Sequence, residues 1–221
     1  MAEAATQQTP TEALIATLDL PQGGWSDAAR KDALSRLQQA GLPERRDEYW
    51  KYTRPDTLTQ PQAVSAAVRA SEDVALFDQI DRLKLVFVDG VFDADASDDL
   101  ALEGITIERL AQADADLHWA RDLYGTLEKN GQTPVARPLA ALNTAFAADG
   151  VLIHVTDKVS KPVNIVYRRT SETADVMLHH VVKLDAGAEF TLLENGPVAA
   201  RFNGVLEVEV ADNASFHHVR A

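Results

Sequence analysis

Histidine is the residue in this chain whose type and spacing come nearest to metal chemistry. Two adjacent pairs, His179-His180 and His217-His218, lie in apolar segments that resemble β-strands. Neighbouring side chains of a strand point to opposite faces, so neither pair can chelate one ion from a single strand. His154 precedes His179 by 25 residues, and stacked strands would place these two side chains about 4.8 Å apart on an outer face. Because two ligands without a third rarely hold a metal, the pattern favours exposed strand histidines, and we predict no metal site.

The acidic stretch of residues 93–99 is the next candidate for a cation site. It departs from the EF-hand pattern, since Asp98 stands where that loop needs glycine and Gly104 where it needs glutamate. Runs of charge are usually solvated. We therefore interpret this stretch as a solvated acidic turn.

One cluster of basic residues stands out in the sequence, in which Arg168 and Arg169 lie near Lys158 and Lys161. We interpret it as a solvated face, with a patch for an acidic partner as the alternative. The sequence contains no phosphate-binding loop, dinucleotide fingerprint, nucleophile elbow or HExxH motif. We therefore assign no catalytic residue, no cofactor-binding residue and no metal ligand.

Three aromatic side chains are concentrated in the segment Glu48-Tyr49-Trp50-Lys51-Tyr52. They could form the core of a small helical region, anchor a protein interface or stack on nucleic-acid bases. A single such cluster is most often core, and the negative charge of the chain counts against base stacking. We therefore predict that these residues are core.

Composition narrows the class of protein. The 221 residues include 21 basic and 34 acidic side chains, a formal net charge of −13, and 46% are hydrophobic, which fits a chain with a packed core. The absence of cysteine excludes disulfides, a thiol nucleophile and iron–sulfur or zinc sites held by thiolates of this chain. The acidic balance argues against nucleic-acid and membrane partners. With no signal-peptide pattern and no long apolar segment, we expect a cytoplasmic protein.

The elements that would position these groups divide the chain into three parts. Residues 1–82 are expected to form an N-terminal helical region and linker, with a helix from Ser26 to Gly41, another from Pro43 to Trp50, and a loop over residues 53–72. Residues 83–149 form a mixed α/β connecting segment. Its expected elements are strands over residues 83–88 and 104–108, a helix over residues 114–129, and a helix from Pro138 that ends at Gly150.

Residues 150–221 have a period of two and an internal repeat. Residues 184–192 match residues 210–218 after a shift of 26, which aligns Gly187 with Asn213 and Phe190 with Phe216. A shift of 25 in the other direction aligns residues 159–167. Three units of this length favour the first coils of a parallel β-helix, with an antiparallel sandwich as the alternative.

Alternation predicts which side chains point inwards. The inward set has no charged member and is Val151, Ile153, Val155, Leu178, His180, Val182, Leu184, Phe190, Leu192, Phe216 and His218. His180 and His218 would then be hydrogen-bonded core histidines. Met177, His179, Val181 and Lys183 would point outwards.

Two longer motifs resemble a known family. GLPERRDEYWKYT (residues 41–53) resembles a GLP-x-x-x-x-E-x-WKYT signature, and PLAALNTAFAADGVLIHV (residues 138–155) resembles the LNTAFA-x-DG segment, both of the SufB/SufD family. LVFVDGVF (residues 85–92) is similar to a strand that the family has between them. The resemblance implies an N-terminal helical region followed by a right-handed parallel β-helix, incomplete at the C-terminus, in an N-terminal fragment of a longer protein.

The resemblance also implies a function. It points to a non-catalytic subunit of an iron–sulfur cluster assembly complex, whose partners would be a SufB-like scaffold and a SufC-like ATPase, with a homodimer as a further option. None of the six histidines lies on a family site motif, so no site residue is carried over. The alternative is a carbohydrate-active enzyme on a β-helix that uses outward-facing carboxylates, with Glu189 and either Asp175 or Glu172 as candidates.

Overall fold

The helices of the N-terminal region begin and end at local sequence signals. The computed structural model describes residues 8–68, 76–112 and 118–221. Its first three helices are α1 (Pro10–Ile15), α2 (Asp27–Ala40) and α3 (Asp56–Thr59). The Thr9 and Glu12 side chains form a capping box at the start of α1. Helix α2 follows Ser26 as predicted and ends at Gly41, whose φ of 72° lies in the left-handed region that favours glycine.

Two predicted helices are shorter in the structure. Only a 3₁₀ turn, Glu48–Trp50, forms after Pro43. The helix predicted over residues 114–129 is replaced by a 3₁₀ turn, Trp119–Asp122, and helix α4 (Thr126–Asn130), with residues 113–117 outside the described part of the chain. Gly125 separates the two because its φ of 75° cannot belong to a right-handed helix.

Helix α5 (Pro138–Phe146) begins at its proline as predicted and ends before Gly150, since Ala147 leaves the helical region of backbone space. It packs against α2, where Leu37 and Leu142 belong to one buried cluster. The helices on either side of the connecting strands therefore share a core. The division of the chain at residues 82/83 and 149/150 stays a prediction.

The strands are β1 (Leu83–Val88), β2 (Val91–Asp93), β3 (Ile105–Arg109), β4 (Val151–Val155), β5 (Val163–Arg168), β6 (Asp175–Leu184), β7 (Glu189–Asn195), β8 (Arg201–Val210) and β9 (Ser215–Arg220). They form a five-stranded sheet in the order β2-β1-β5-β7-β9 and a four-stranded sheet in the order β3-β4-β6-β8. From β4 onwards, successive strands alternate between the sheets, and each pairs in parallel with the strand two places later. Parallel pairing rules out the antiparallel sandwich for this part of the chain.

The register confirms one repeat length and corrects the other. Phe190 is paired with Phe216 at the predicted shift of 26, and their rings are stacked with centroids 6.0 Å apart. Gly187 and Asn213 both have positive φ, at 77° and 60°. The shift of 25 is wrong, since Val163 is paired with Leu192, 29 residues later.

The shift of 29 residues is longer than the shift of 26 because one connection between strands contains three more residues. Asp175 is nine positions after Val166, whereas Arg201, the partner of Asp175, is only six positions after Asn195, the partner of Val166. The three additional residues therefore lie in the connection between β5 and β6. A loop between strands can lengthen without changing the alternation of side chains, so the facing pattern survives the error in the period.

The main core lies between the inner faces of the two sheets. The members of the predicted inward set from β4, β6 and β7 are buried there, while Phe216 on β9 packs against that core half-buried and His218 on the same strand is exposed. The outward set was expected to face solvent, and this is wrong for His179 and Val181, which are both fully buried. Val181 packs with Trp25 and Tyr124, because the helical region covers the outer face of the four-stranded sheet.

No helix within the described ranges combines the length and the hydropathy that are needed to cross a membrane.

Candidate functional site

A chain of polar side chains runs through the apolar interior between the two sheets. It consists of His180 on β6, Tyr167 on β5, Glu194 on β7 and His218 on β9. The first three are nearly fully buried. Buried polar groups are expensive unless they are hydrogen-bonded, so the contacts among these four residues decide what the cluster can do.

The hydrogen bonds order the cluster in one direction. The backbone N–H of Val151 donates to Nδ1 of His180 at 3.0 Å, which leaves the proton of the neutral imidazole on Nε2. Nε2 of His180 lies 3.2 Å from Oη of Tyr167, and that hydroxyl donates to Oε2 of Glu194 at 2.5 Å. Nε2 of His218 lies 2.7 Å from Oε1 of the same carboxylate. All four side chains are therefore hydrogen-bonded.

The electrostatics of the cluster leave a single buried negative charge. Burial lowers the pKa of His180 to about 4, so this imidazole is neutral near pH 7. Burial opposes ionisation of Glu194, but the hydrogen bond from Tyr167 and the neighbouring His180 and His218 together hold the pKa of that carboxyl below its usual range. Burial and the Glu194 charge raise the pKa of Tyr167. Glu194 is therefore the charged member, and Tyr167 and His180 are neutral.

This arrangement stores a charge and does not transmit protons through the fold. One end of the chain is the backbone N–H of Val151, which cannot pass a proton on. The other end is His218, whose side chain is 30% exposed on the last strand. Within the described residues, no group of three or more histidine, aspartate and glutamate side chains is placed to hold a metal ion.

A second buried carboxylate, Glu207 on β8, lies on the outer face of the four-stranded sheet. Glu207 accepts hydrogen bonds from Nε2 of His179 at 2.8 Å and from the backbone N–H groups of Gly125 and Glu128, at 2.6 and 2.9 Å. The ring of Tyr124 lies over the His179 imidazole with centroids 4.2 Å apart. Glu207 therefore caps the N-terminus of α4 and joins it to the four-stranded sheet.

The LNTAFA motif has a structural role in this fold. The side-chain amide of Asn143 in α5 donates to the backbone carbonyls of Leu178, at 3.1 Å, and Asn203, at 2.7 Å. Those residues lie on β6 and β8, so one side chain fastens the helix to two neighbouring strands. Asn203 in turn donates to the carbonyl of Leu139 in the same helix, at 2.8 Å.

The predicted pair of stacked histidines does not form. His154 is opposite Lys183 in the register, and its Nε2 lies 2.9 Å from Asp185. His179 is buried beside Glu207, so the expectation of two exposed histidines is also wrong. Burial arises because the helices cover this face of the sheet. The core assignment is confirmed for His180, which is buried and hydrogen-bonded. It is wrong for His218, which is hydrogen-bonded to Glu194 but exposed, because it lies on the last strand of its sheet.

Side chains of the acidic turn and of the basic cluster form hydrogen bonds and ion pairs within the fold. In the acidic turn, Asp93, Asp98 and Asp99 accept hydrogen bonds from backbone N–H groups nearby in the structure. In the basic cluster, Lys158 lies 2.6 Å from Glu189 and Lys161 lies 3.5 Å from Asp81. These two lysines are therefore already paired.

The carboxylates considered for a glycosidase are each bound elsewhere. Glu189 pairs with Lys158, and Asp175 pairs with Arg201 through a contact of 2.9 Å between Oδ1 and Nε. Glu172 lies 3.4 Å from the hydroxyl of Ser65. Asp175 and Glu189 also begin strands of different sheets, so the structure gives no paired acid and nucleophile.

The aromatic segment is not core, contrary to the prediction. Tyr49 is 68% exposed and Tyr52 is 91% exposed, while Trp50 is half-buried. The reason is local, because a 3₁₀ turn of three residues cannot present an apolar stripe to the helices.

Sequence reasoning missed Tyr167, Glu194 and Glu207. For the first two a signal existed. Period-two alternation from Val163 places Tyr167 on the inner face, and alternation from Phe190 places Glu194 there. An inward-facing carboxylate in an apolar strand indicates a buried partner.

The comparisons with known proteins agree on a family. The model of the SufBD protein N-terminal region matches residues 24–165. Among curated proteins, the Escherichia coli (strain K12) iron-sulfur cluster assembly protein SufD is 32% identical over 209 residues, which cover 85% of this chain and 44% of that protein. The chain thus spans less than half the length of this relative. The family match covers more than half of the chain, and we conclude that the chain belongs to the SufB/SufD family, as a SufD-like protein in its N-terminal region.

Proposed function

We propose that this chain is part of a non-catalytic subunit for iron–sulfur cluster assembly, which acts with a SufB-like scaffold and a SufC-like ATPase. The observation that carries the proposal is the similarity of 85% of the chain to a protein named for iron–sulfur cluster assembly. Because the chain spans 44% of that relative, the partners belong to the proposal and are inferred for the longer protein.

The proposed architecture is a right-handed parallel β-helix that is incomplete at the C-terminus. It is supported by strands that alternate between two sheets and pair in parallel at shifts of 29 and 26 residues. The antiparallel pairs β1–β2 and β3–β4 begin the two sheets. The last strands, β8 and β9, each have one edge without a strand partner in the described structure. Such edges pair readily with further strands.

The residue inventory supports a structural role. Iron–sulfur clusters are held chiefly by cysteine thiolates, and none occurs in this chain. A cluster built on a complex that contains it would therefore take its thiolates from outside these 221 residues. The buried groups His180, Tyr167 and Glu194 are bonded to one another and to the backbone. We place the protein in the cytoplasm.

The test is reconstitution with purified components. The chain, and the longer polypeptide that contains it where one exists, are mixed with a SufB-like and a SufC-like protein, and complexes are separated by size-exclusion chromatography with mass measurement. Omission of the subunit is expected to reduce cluster transfer to an apo-ferredoxin, and addition of the subunit alone is expected to give no turnover. Failure to bind either partner, or cluster assembly that is unaffected by omission, would overturn the proposal.

A further inference from the structure

The segment between Pro43 and Pro55 stands out because nothing in the fold explains its composition. Both prolines are buried and line the same cavity of about 500 Å³, so the two ends of the segment are held close together. Of the 11 residues between them, all except Trp50 are exposed. A compact surface loop of this length with adjacent ends is often functional.

Two tyrosine rings of this segment are largely exposed. Tyr52 is 91% exposed and Tyr49 is 68% exposed. The ammonium of Lys51 lies 5.4 Å from the centroid of the Tyr52 ring. Exposed tyrosine side chains lower the solubility of a protein, and tyrosine is one of the residue types that anchor protein interfaces.

The three arginines of the segment have no charged or hydrogen-bonded partner within the described ranges. Arg45, Arg46 and Arg54 make no ion pair or side-chain hydrogen bond with the described part of the chain. Elsewhere, the lysines and arginines that border the sheets are mostly paired, as Lys158 is with Glu189 and Arg201 with Asp175.

The charge of the segment is opposite to that of the chain. Residues 44–54 contain four basic and three acidic side chains, a net charge of +1, whereas the whole chain carries −13. One of the three acids, Asp47, is engaged by the backbone N–H of Glu44 at 2.9 Å. An approaching surface therefore meets more available cations than anions here.

A cleft lies beside the exposed ring of Tyr49 in this segment. Tyr49 and Trp50 line a cleft of about 400 Å³ together with Pro43, Pro134 and Pro138. Aromatic and proline side chains form a rigid apolar wall, which accepts an aliphatic or proline side chain at a small cost in entropy.

We propose that the aromatic–basic surface, made of Arg45, Arg46, Tyr49, Lys51, Tyr52 and Arg54, docks an acidic segment of a partner protein. The arginines pair with its carboxylates, and the tyrosine rings and the cleft take its apolar side chains. Arg and Tyr are the residue types that dominate the energy of such interfaces, and an arginine with no intramolecular partner loses no ion pair on binding.

The test uses fluorescence anisotropy with the full chain and four labelled probes of equal length. These are a peptide that alternates glutamate with leucine, alanine and proline, its glutamine and lysine counterparts, and a single-stranded DNA oligonucleotide. The acidic peptide is expected to bind most tightly, and at least fivefold more weakly in 300 mM than in 50 mM NaCl. Equal binding of the glutamine peptide, no binding of the acidic peptide, or tighter binding of the DNA would overturn the proposal.

Paired variants locate the binding surface. Tyr49→Ala with Tyr52→Ala, and separately Arg45→Gln with Arg46→Gln, are expected to weaken binding of the acidic peptide about tenfold or more. The matched control is Arg168→Gln with Val91→Ala, because both side chains are exposed and outside the surface, and it is expected to change affinity less than twofold. Binding that survives both surface variants would overturn the proposal, as would a dimer of this chain that Tyr52→Ala dissociates.

Discussion

Nε2 of His218 on strand β9 lies 2.7 Å from Oε1 of Glu194 on the neighbouring strand β7. The carboxylate of Glu194 is 4% exposed, whereas the imidazole is 30% exposed. The last strand is therefore held by its backbone ladder and by a side chain that reaches a buried charge.

Replacing His218 by alanine should destabilise the end of the sheet. The substitution removes one hydrogen bond to a charged, buried acceptor, which is worth about 1.5–3 kcal/mol. The free energy of unfolding in urea checks it. The matched control is His217→Ala, since the adjacent side chain points to the other face and is exposed. Equal effects of the two substitutions would contradict this account.

Stability should fall as the pH drops from about 6.5 towards 4. The folded pKa of His180 is about 4 and its ordinary value is 6.5, so the unfolded chain binds a proton in this range that the folded chain does not. The loss is on the order of 2–3 kcal/mol. The lowered pKa of Glu194 adds a further loss below its ordinary value of 4.5. Urea unfolding at half-unit pH steps measures the profile.

A His180→Gln variant should flatten that profile between pH 6.5 and 4, whatever its stability at pH 7. Replacing exposed His217 by glutamine should leave the slope unchanged. An unaltered slope in the His180 variant would show that another group titrates.

Replacing Glu207 by glutamine should loosen helix α4 from the sheet. The carboxylate accepts two backbone N–H groups and Nε2 of His179, and a neutral amide makes these bonds more weakly. We expect a loss of about 2–3 kcal/mol, with a change in the near-ultraviolet circular dichroism of Tyr124. Glu209→Gln is the control, because Glu209 lies two residues along the same strand and is exposed. A similar cost at both positions would refute the role of the cap.

Replacing Gly150 by alanine should prevent normal folding or cost more than about 3 kcal/mol. A Cβ at this position would lie 1.9 Å from the carbonyl oxygen of His179, which is backbone and cannot move aside. Gly131→Ala is the comparison, since its nearest atoms would be 3.4 Å away. Thermal unfolding followed by circular dichroism checks both. A stable Gly150→Ala protein would mean that β4 and β6 are not this close.

Local patterns were enough for several elements of the fold. Gly41 marked the end of helix α2 and Pro138 the start of α5, because glycine and proline act within one turn of the chain. Ser26 precedes α2 as predicted, but its side chain makes no capping hydrogen bond. The 26-residue shift correctly paired Phe190 with Phe216. The shift of 29 was missed because the three residues by which it exceeds 26 lie in a connection and leave no trace in the alternation of strand side chains.

Burial of the outer strand face could be decided only by the tertiary structure. Alternation placed His179 outside the sheets, and it does lie on that face, but its burial depends on helices that are distant in sequence and cover it. The partnership of Glu207 with α4 spans about 80 residues and has no local signature. The sequence by itself determined the family, the absence of thiolates and the inward face of the strands, since these depend on residue identity and on period-two geometry. Packing between distant segments decided which polar groups are buried and which of them are paired, because those contacts join residues far apart in the chain.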